Sequence, residues 1–197
     1  MSSSDRAVGS DLKFSKLPKR VTGLWRSLKS LGIAMSGESR ALIVPEAHYT
    51  LFEAERDGRP EIIVVNDALL TFAHNDIFPW HLRVRLEATE LADNGMPTNP
   101  ESKVLFEIGD AIEQAVLSGV TSNGGANALF LARSTWNELR ELYFMVHDPE
   151  IAHPALQALL KAKDLSRSWE YKMEHDREWE KAGYIFQLFR LTRKLDA

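Results

Sequence analysis

Leu82, Val84, Leu86 and Ala88 alternate with His81, Arg83, Arg85 and Glu87, the period-two pattern of a strand with one apolar and one polar face. Asp93-Asn94-Gly95 then reads as a turn, because Asn and Gly tolerate positive φ, and Pro97 biases Met96 towards extended geometry. After the turn the period changes. Val104, Leu105, Ile108, Ile112, Ala115 and Val116 recur at spacings of three and four, which predicts an amphipathic helix. Asn99 or Thr98 can cap it, Pro100 suits its first turn, Glu101 favours its positive end and Gly119 ends it.

The same reading runs along the rest of the chain. His48–Ala54 and Glu61–Val65 are predicted strands, joined through Arg56-Asp57-Gly58-Arg59, where Asp-Gly signals a hairpin. Leu69, Leu70 and Phe72 form a further apolar cluster, and Ser122-Asn123-Gly124-Gly125 a turn. Ala128–Arg133 and Arg140–His147 are predicted strands with Ser134–Leu139 between them. In the second, Leu142, Phe144 and Val146 face one way and Glu141, Tyr143, Met145 and His147 the other. Pro154 is expected to open a short helix carrying Leu156, Leu159 and Leu160. Trp169, Tyr171 and Met173 alternate with Glu170, Lys172 and Glu174 as a last strand. Asp176 then caps a final helix with Trp179, Ile185 and Phe186 inward.

From Pro79 onward the order is strand, helix, strand, strand, helix, strand. This predicts an α+β class with a ferredoxin-like βαββαβ antiparallel sheet and helices on one face, since right-handed crossovers put both helices on the same side. The hairpin before Pro79 is an addition. The opposite face of the sheet is expected to show Arg83, Arg85, Tyr143, Met145, Glu170 and Lys172, unless the first hairpin or the N-terminal helix covers it. That N-terminal helix is predicted from Pro18 to Gly32: Val21, Leu24, Trp25, Leu28 and Leu31 share one helical face, with Lys19, Arg20, Arg26 and Lys29 elsewhere. It suits either docking on its own domain or lying on a membrane or partner surface through residues 18–32.

Length and charge refine the picture. With 197 residues, the chain divides into an N-terminal extension, residues 1–45, and a single α+β domain, residues 46–197. Residues 1–40 carry four Lys and four Arg against two Asp and one Glu, a net +5 that leaves −9 for the remainder of a chain whose total is −4. An acidic body argues against a surface that tracks nucleic-acid phosphates. The chain has no cysteine, which excludes disulfides, thiolate nucleophiles and Cys-ligated zinc. No apolar run approaches the roughly 18 residues of a spanning helix, and the polar first residues do not resemble a secretion signal; a cytoplasmic location is expected.

Candidate chemistry is sparse. His147-Asp148 and His175-Asp176 end predicted strands and could meet as a metal or acid/base site; the plainer reading makes both aspartates helix-start residues. Glu101, Glu107, Asp110 and Glu113 lie along one helix, where a solvated outer face explains them most simply. Ser36-Gly-Glu-Ser39 lacks the strand–Ser–helix context of a nucleophile elbow, and Ser122–Gly125 lacks the Lys-Ser/Thr of a phosphate loop. A base-stacking sheet would use Tyr143 and Phe130 with Arg83 and Arg85, but the aromatic-basic signature of that module is missing.

Ile62-Ile63-Val64-Val65-Asn66, Asp93-Asn94-Gly95-Met96-Pro97 with Glu101, Leu105 and Asp110 behind it, and the closing run from Trp169 to Asp176 and Trp179 resemble the bacterial domain of unknown function 695, over roughly residues 46–189. Members of that family are sometimes fused to a domain similar to the ribonuclease E inhibitor B group, small ferredoxin-like proteins that act by binding another protein. The resemblance carries over no catalytic residues and implies no cofactor. The expectation is a non-enzymatic module that binds a protein partner through its sheet face, as a regulator, inhibitor or immunity-type protein. The alternatives are a hydrolase built on His147, Asp148, His175 and Asp176, and an RNA-binding sheet.

Overall fold

The computed structural model describes residues 13–14, 16, 18–21, 44–162 and 165–193. In chain order they form β1 (Lys13–Phe14), β2 (Lys19–Val21), β3 (Tyr49–Arg56) and β4 (Arg59–Asn66), then two 3-10 turns (Asp67–Thr71 and Asn75–Ile77). After these come β5 (Trp80–Glu87), α1 (Asn99–Leu117), β6 (Ala128–Trp136), β7 (Leu139–Val146), α2 (Pro149–Ala162), β8 (Trp169–His175) and α3 (Glu180–Arg193). The strands make one antiparallel open sheet ordered β1-β3-β4-β6-β7-β5-β8, with β2 also on the edge of β3.

Two tight hairpins set the register. Asp57 and Gly58 between β3 and β4 have φ of 52° and 74°, and Asn137 and Glu138 between β6 and β7 have 43° and 73°, the paired left-handed conformation whose twist matches antiparallel strands. The first is the Asp-Gly turn expected from the chain. The second lies inside the stretch Ser134–Leu139 that reads as a connection, because Glu138 is not a residue that advertises positive φ. β6 accordingly runs on to Trp136.

The predicted helix from Asn99 is present. Thr98 caps it by accepting from Glu101 N (3.3 Å), with Pro100 in the first turn. Gly119 does not adopt a positive φ. A Cβ there would lie 2.9 Å from Ile151 Cγ2 of α2, so its role is close approach rather than a left-handed cap. α2 begins at Pro149, with Pro154 inside it, not at Pro154 as the periodicity suggests; Asp148 starts it by accepting from Glu150 N (2.9 Å).

Two cores lie on the two faces of the sheet. Leu105, Ile108, Ile112 and Val116 of α1 and Ala152 and Leu156 of α2 pack with Leu82, Val84, Leu86, Phe130, Leu142 and Phe144. Each such side chain contributes roughly 1.5–3 kcal/mol through burial, and the shared core places α1 and α2 against the same face. The alternate residues of the same strands, Leu129, Leu131 and Met145, join Phe52, Ile63 and Val65 under Trp179, Ala182 and Leu188. α3 therefore covers part of the second face. An extra residue at Leu131 shifts the β6–β7 register between Phe130 and Ala132, a β-bulge.

The N-terminal expectation is corrected where it can be seen. Lys19–Val21 pair with Tyr49–Leu51 as a strand, so no helix begins at Pro18; the free edge of β3 offers these residues a backbone ladder. The remainder of that predicted helix, residues 22–32, lies outside the described residues. No helix among the described residues is long and apolar enough to cross a membrane.

Candidate functional site: the uncovered part of the sheet

α3 reaches from β8, where Lys181 Nζ lies 3.4 Å from Glu174, to β3, where the Phe189 and Phe52 rings meet at 4.8 Å. Beyond its track the second face of the sheet is charged. On β5, Arg85 Nη1 donates to Glu170 Oε1 of β8 (2.9 Å) and Arg85 Nε lies 3.5 Å from Glu141 Oε1 of β7; Arg83 Nε is 4.0 Å from the same oxygen. Tyr143 donates its hydroxyl to Glu141 Oε2 (2.7 Å). Burial, reinforced by the charge of Glu141, pushes the Tyr143 phenol well above its ordinary range, so it stays a neutral donor.

The six positions expected to form an exposed face separate into two groups. Arg83 and Arg85 remain about one-third exposed, and Glu170 and Lys172 are open to solvent. Met145 is completely buried beneath α3 and Tyr143 is half-buried. Among the described residues, the cover over these positions comes from the C-terminal helix. Phe130, the other aromatic named for a stacking sheet, faces the opposite way and is buried in the α1–α2 core.

Glu61 is the member of this face that the sequence reading passed over. It is 2% exposed, and its Oε1 accepts from Ser134 Oγ (2.6 Å) and lies 3.2 Å from Arg56 Nη2. Its Oε2, like Arg56 Nε, meets no partner among the described residues. Burial raises the Glu61 carboxyl, against the opposing pull of Arg56 and Ser134. Arg56 stacks on Trp136 at 3.9 Å. The signal was available: Glu61 shares its strand phase with Ile63 and Val65, both on the buried side.

The helix carboxylates are likewise not all on a solvated face. Glu107 and Asp110 are exposed, but Glu101 and Glu113 are buried. Glu101 accepts a two-pronged bond from Arg167 (2.8 and 2.7 Å) and one from Thr89 N (3.0 Å), and the Arg167 bonds hold its carboxyl below the usual range. Glu113 has burial as its largest influence and is pushed up to about 8. Near it, the guanidinium groups of Arg133 and Arg140 each lie 4.4 Å from the Phe106 ring, and burial draws Arg140 down to about 9.

His147 and His175 do end strands at the same edge of the sheet, since Trp80 pairs with both Val146 and His175. Their side chains go to opposite faces. His147 meets Phe78 and bonds the Ile77 carbonyl through Nδ1 (2.6 Å), whereas His175 meets the Trp80 ring. Asp148 opens α2, and Asp176 accepts from Glu180 N and Lys181 N (2.8 and 3.0 Å) at the start of α3. The structure brings these four residues to one edge but not to one site. Among the described residues no grouping of three or more His, Asp or Glu is placed to hold a metal ion.

A small cavity of about 50 Å³ adjoins the charged face, lined by Arg85, Glu87, Leu139, Ser168, Trp169 and Glu170. It has room for a few waters or a carboxylate. The Asp93–Pro97 turn docks on both hairpins: Gly95, at φ 80°, accepts from Glu138 N through its carbonyl, and a Cβ there would lie 2.7 Å from Arg59 Nη1.

No curated protein and no solved structure matches this chain. One family model does, the family of unknown function DUF695, over residues 48–185. That span runs from the start of β3 into α3 and includes the whole charged face, and the chain belongs to this family.

Proposed function

We propose that the protein is a non-enzymatic binding module, a regulator or inhibitor that holds an acidic segment of a protein partner on the uncovered part of its sheet. The observation that carries this reading is the arginine pair. Arg83 and Arg85 share one half-buried carboxylate, Glu141, and the remaining partner of Arg85, Glu170, is a solvent-exposed residue. Exposed ion pairs are worth about 0–1 kcal/mol, so a partner carboxylate can take the place of Glu170 at little cost. Guanidinium forks then give that contact direction as well as attraction.

The scaffold supports the same reading. We read β5 to β8 with α1 and α2 as a ferredoxin-like unit, on the strand order β6-β7-β5-β8 and the core that α1 and α2 share on one face; β4 and β3 extend it. Such a unit holds the arginines on a central strand, with β7 and β8 on either side. The test is capture by the full chain beside an Arg83→Glu, Arg85→Glu variant, followed by reconstitution with the purified partner. Affinity should fall at least tenfold, about 1.4 kcal/mol. A partner held equally by both chains would refute the proposal.

A further inference from the structure

Among the described residues β8 has a neighbour on one side only, β5. The hydrogen-bond phase of this pair is fixed at both ends: Glu87 N donates to Ser168 O (3.1 Å) and Asp176 N donates to Pro79 O (2.7 Å). Bonding alternates along an antiparallel pair. Glu170, Lys172 and Glu174 therefore bond to β5, and Trp169, Tyr171 and Met173 direct their backbone N–H and C=O groups outward. An open edge of this kind is a template for another strand.

We propose that the occupant is a second copy of this chain, pairing β8 with β8 in antiparallel fashion about a two-fold axis at Tyr171. The choice of partner rests on charge. With Tyr171 opposite Tyr171 of the second copy, Trp169 falls opposite Met173 and Glu170 opposite Lys172, in both directions. The Glu170 and Lys172 positions are then the closely spaced, non-hydrogen-bonded pairs, where side chains interact most strongly.

Neighbouring registers meet this test less fully. Placing Lys172 opposite itself sets Glu170 against Glu174. Placing Met173 opposite itself sets Lys172 against Glu174, a residue that Lys172 and Lys181 already hold within the chain, and leaves Glu170 beyond the paired strands, towards Asp176. The existing contacts also permit the exchange. Glu170 uses Oε1 on Arg85, which leaves Oε2 for the incoming ammonium. Lys172 is 3.0 Å from Glu174, and Glu174 keeps Lys181 when Lys172 turns away. The interface is continuous with the charged face, so the dimer carries two copies of the arginine pair on one extended sheet.

Sedimentation velocity of the full chain over a micromolar concentration series is the experiment. Wild type should show reversible dimerisation. Lys172→Glu, which puts Glu opposite Glu twice, should weaken it by about tenfold or more. The exchanged variant Glu170→Lys, Lys172→Glu restores the pairing and should regain the dimer. Because the chain has no cysteine, a second arm is direct: Glu170→Cys mixed with Lys172→Cys should cross-link under oxidation, and neither should do so alone. A monomer throughout the series overturns the proposal, as does a dimer indifferent to Lys172→Glu. Cross-linking in either single variant alone overturns the register.

Discussion

Replacing Glu113 by Gln should abolish a fall in stability that is expected of the wild-type protein between pH 6.5 and 8. The Glu113 carboxyl is buried, its Oε2 has no partner among the described residues, and burial pushes it up to about 8 from 4.5. Between those values the folded state holds a proton that the unfolded state has released. Stability then falls as pH rises, by about 1.4 kcal/mol per unit. His81 has the opposite sign: burial lowers it to about 4 from 6.5, so between those values the unfolded state binds the extra proton and stability rises with pH. The two slopes roughly cancel where they overlap. From pH 6.5, above the His81 window, to 8 the Glu113 slope amounts to about 2 kcal/mol. Urea denaturation at pH 6.5, 7.25 and 8 reads it directly, because the midpoint moves while the slope m does not. Glu113→Gln, neutral at every pH, should be flat across this window. A wild-type curve that is flat or rising there, or a Gln variant that keeps the decline, would refute the assignment of the buried proton.

Two further outcomes follow from the same core. Arg167→Ala should invert the acid response: with Arg167 present the Glu101 carboxyl is held low, and its contribution is lost as pH falls below the carboxylate range; without Arg167 the buried acid is favoured protonated, and stability should instead decline as pH rises through that range. Denaturant midpoints at pH 4 and 7 distinguish the two. Ile112→Ala removes a fully buried side chain between α1 and the sheet and should cost about 2–5 kcal/mol in urea unfolding, with the binding-face charges untouched.

Much of the scaffold was legible because its elements carry clean periods. The stripe from Leu105 to Val116, the alternation from Leu82 to Leu86 and the Asp57-Gly58 turn each follow one local rule. What was hidden depended on tertiary cover. β6 is buried at every position from Ala128 to Thr135, since α1 and α3 lie on opposite faces, so alternation could not mark its extent. Met145 and Tyr143 looked exposed by phase, and only α3 decides otherwise. Glu101 and Glu113 sit in apolar phase positions and were read by their charge instead, and Glu61, in the phase of Ile63 and Val65, was passed over. Of the charged face, the Arg83–Arg85 spacing could be read directly from the strand, whereas Glu141 as their common partner required the β5–β7 register.

The extra residue at Leu131 acts as a phase switch for the molecule's two interiors. Ahead of it, the even-numbered Ala128 and Phe130 feed the α1–α2 side; after it, the odd-numbered Arg133 does so, beside Phe106, while Ser134 turns the other way to Glu61. Strict alternation through Leu131 and Ala132, without the bulge, would send the guanidinium towards α3 and the hydroxyl towards α1. Two carboxylates on opposite sides of the sheet, Glu113 and Glu61, would lose their neighbours at a stroke. The bulge, more than any single side chain in β6, governs how buried charge is distributed between the layers.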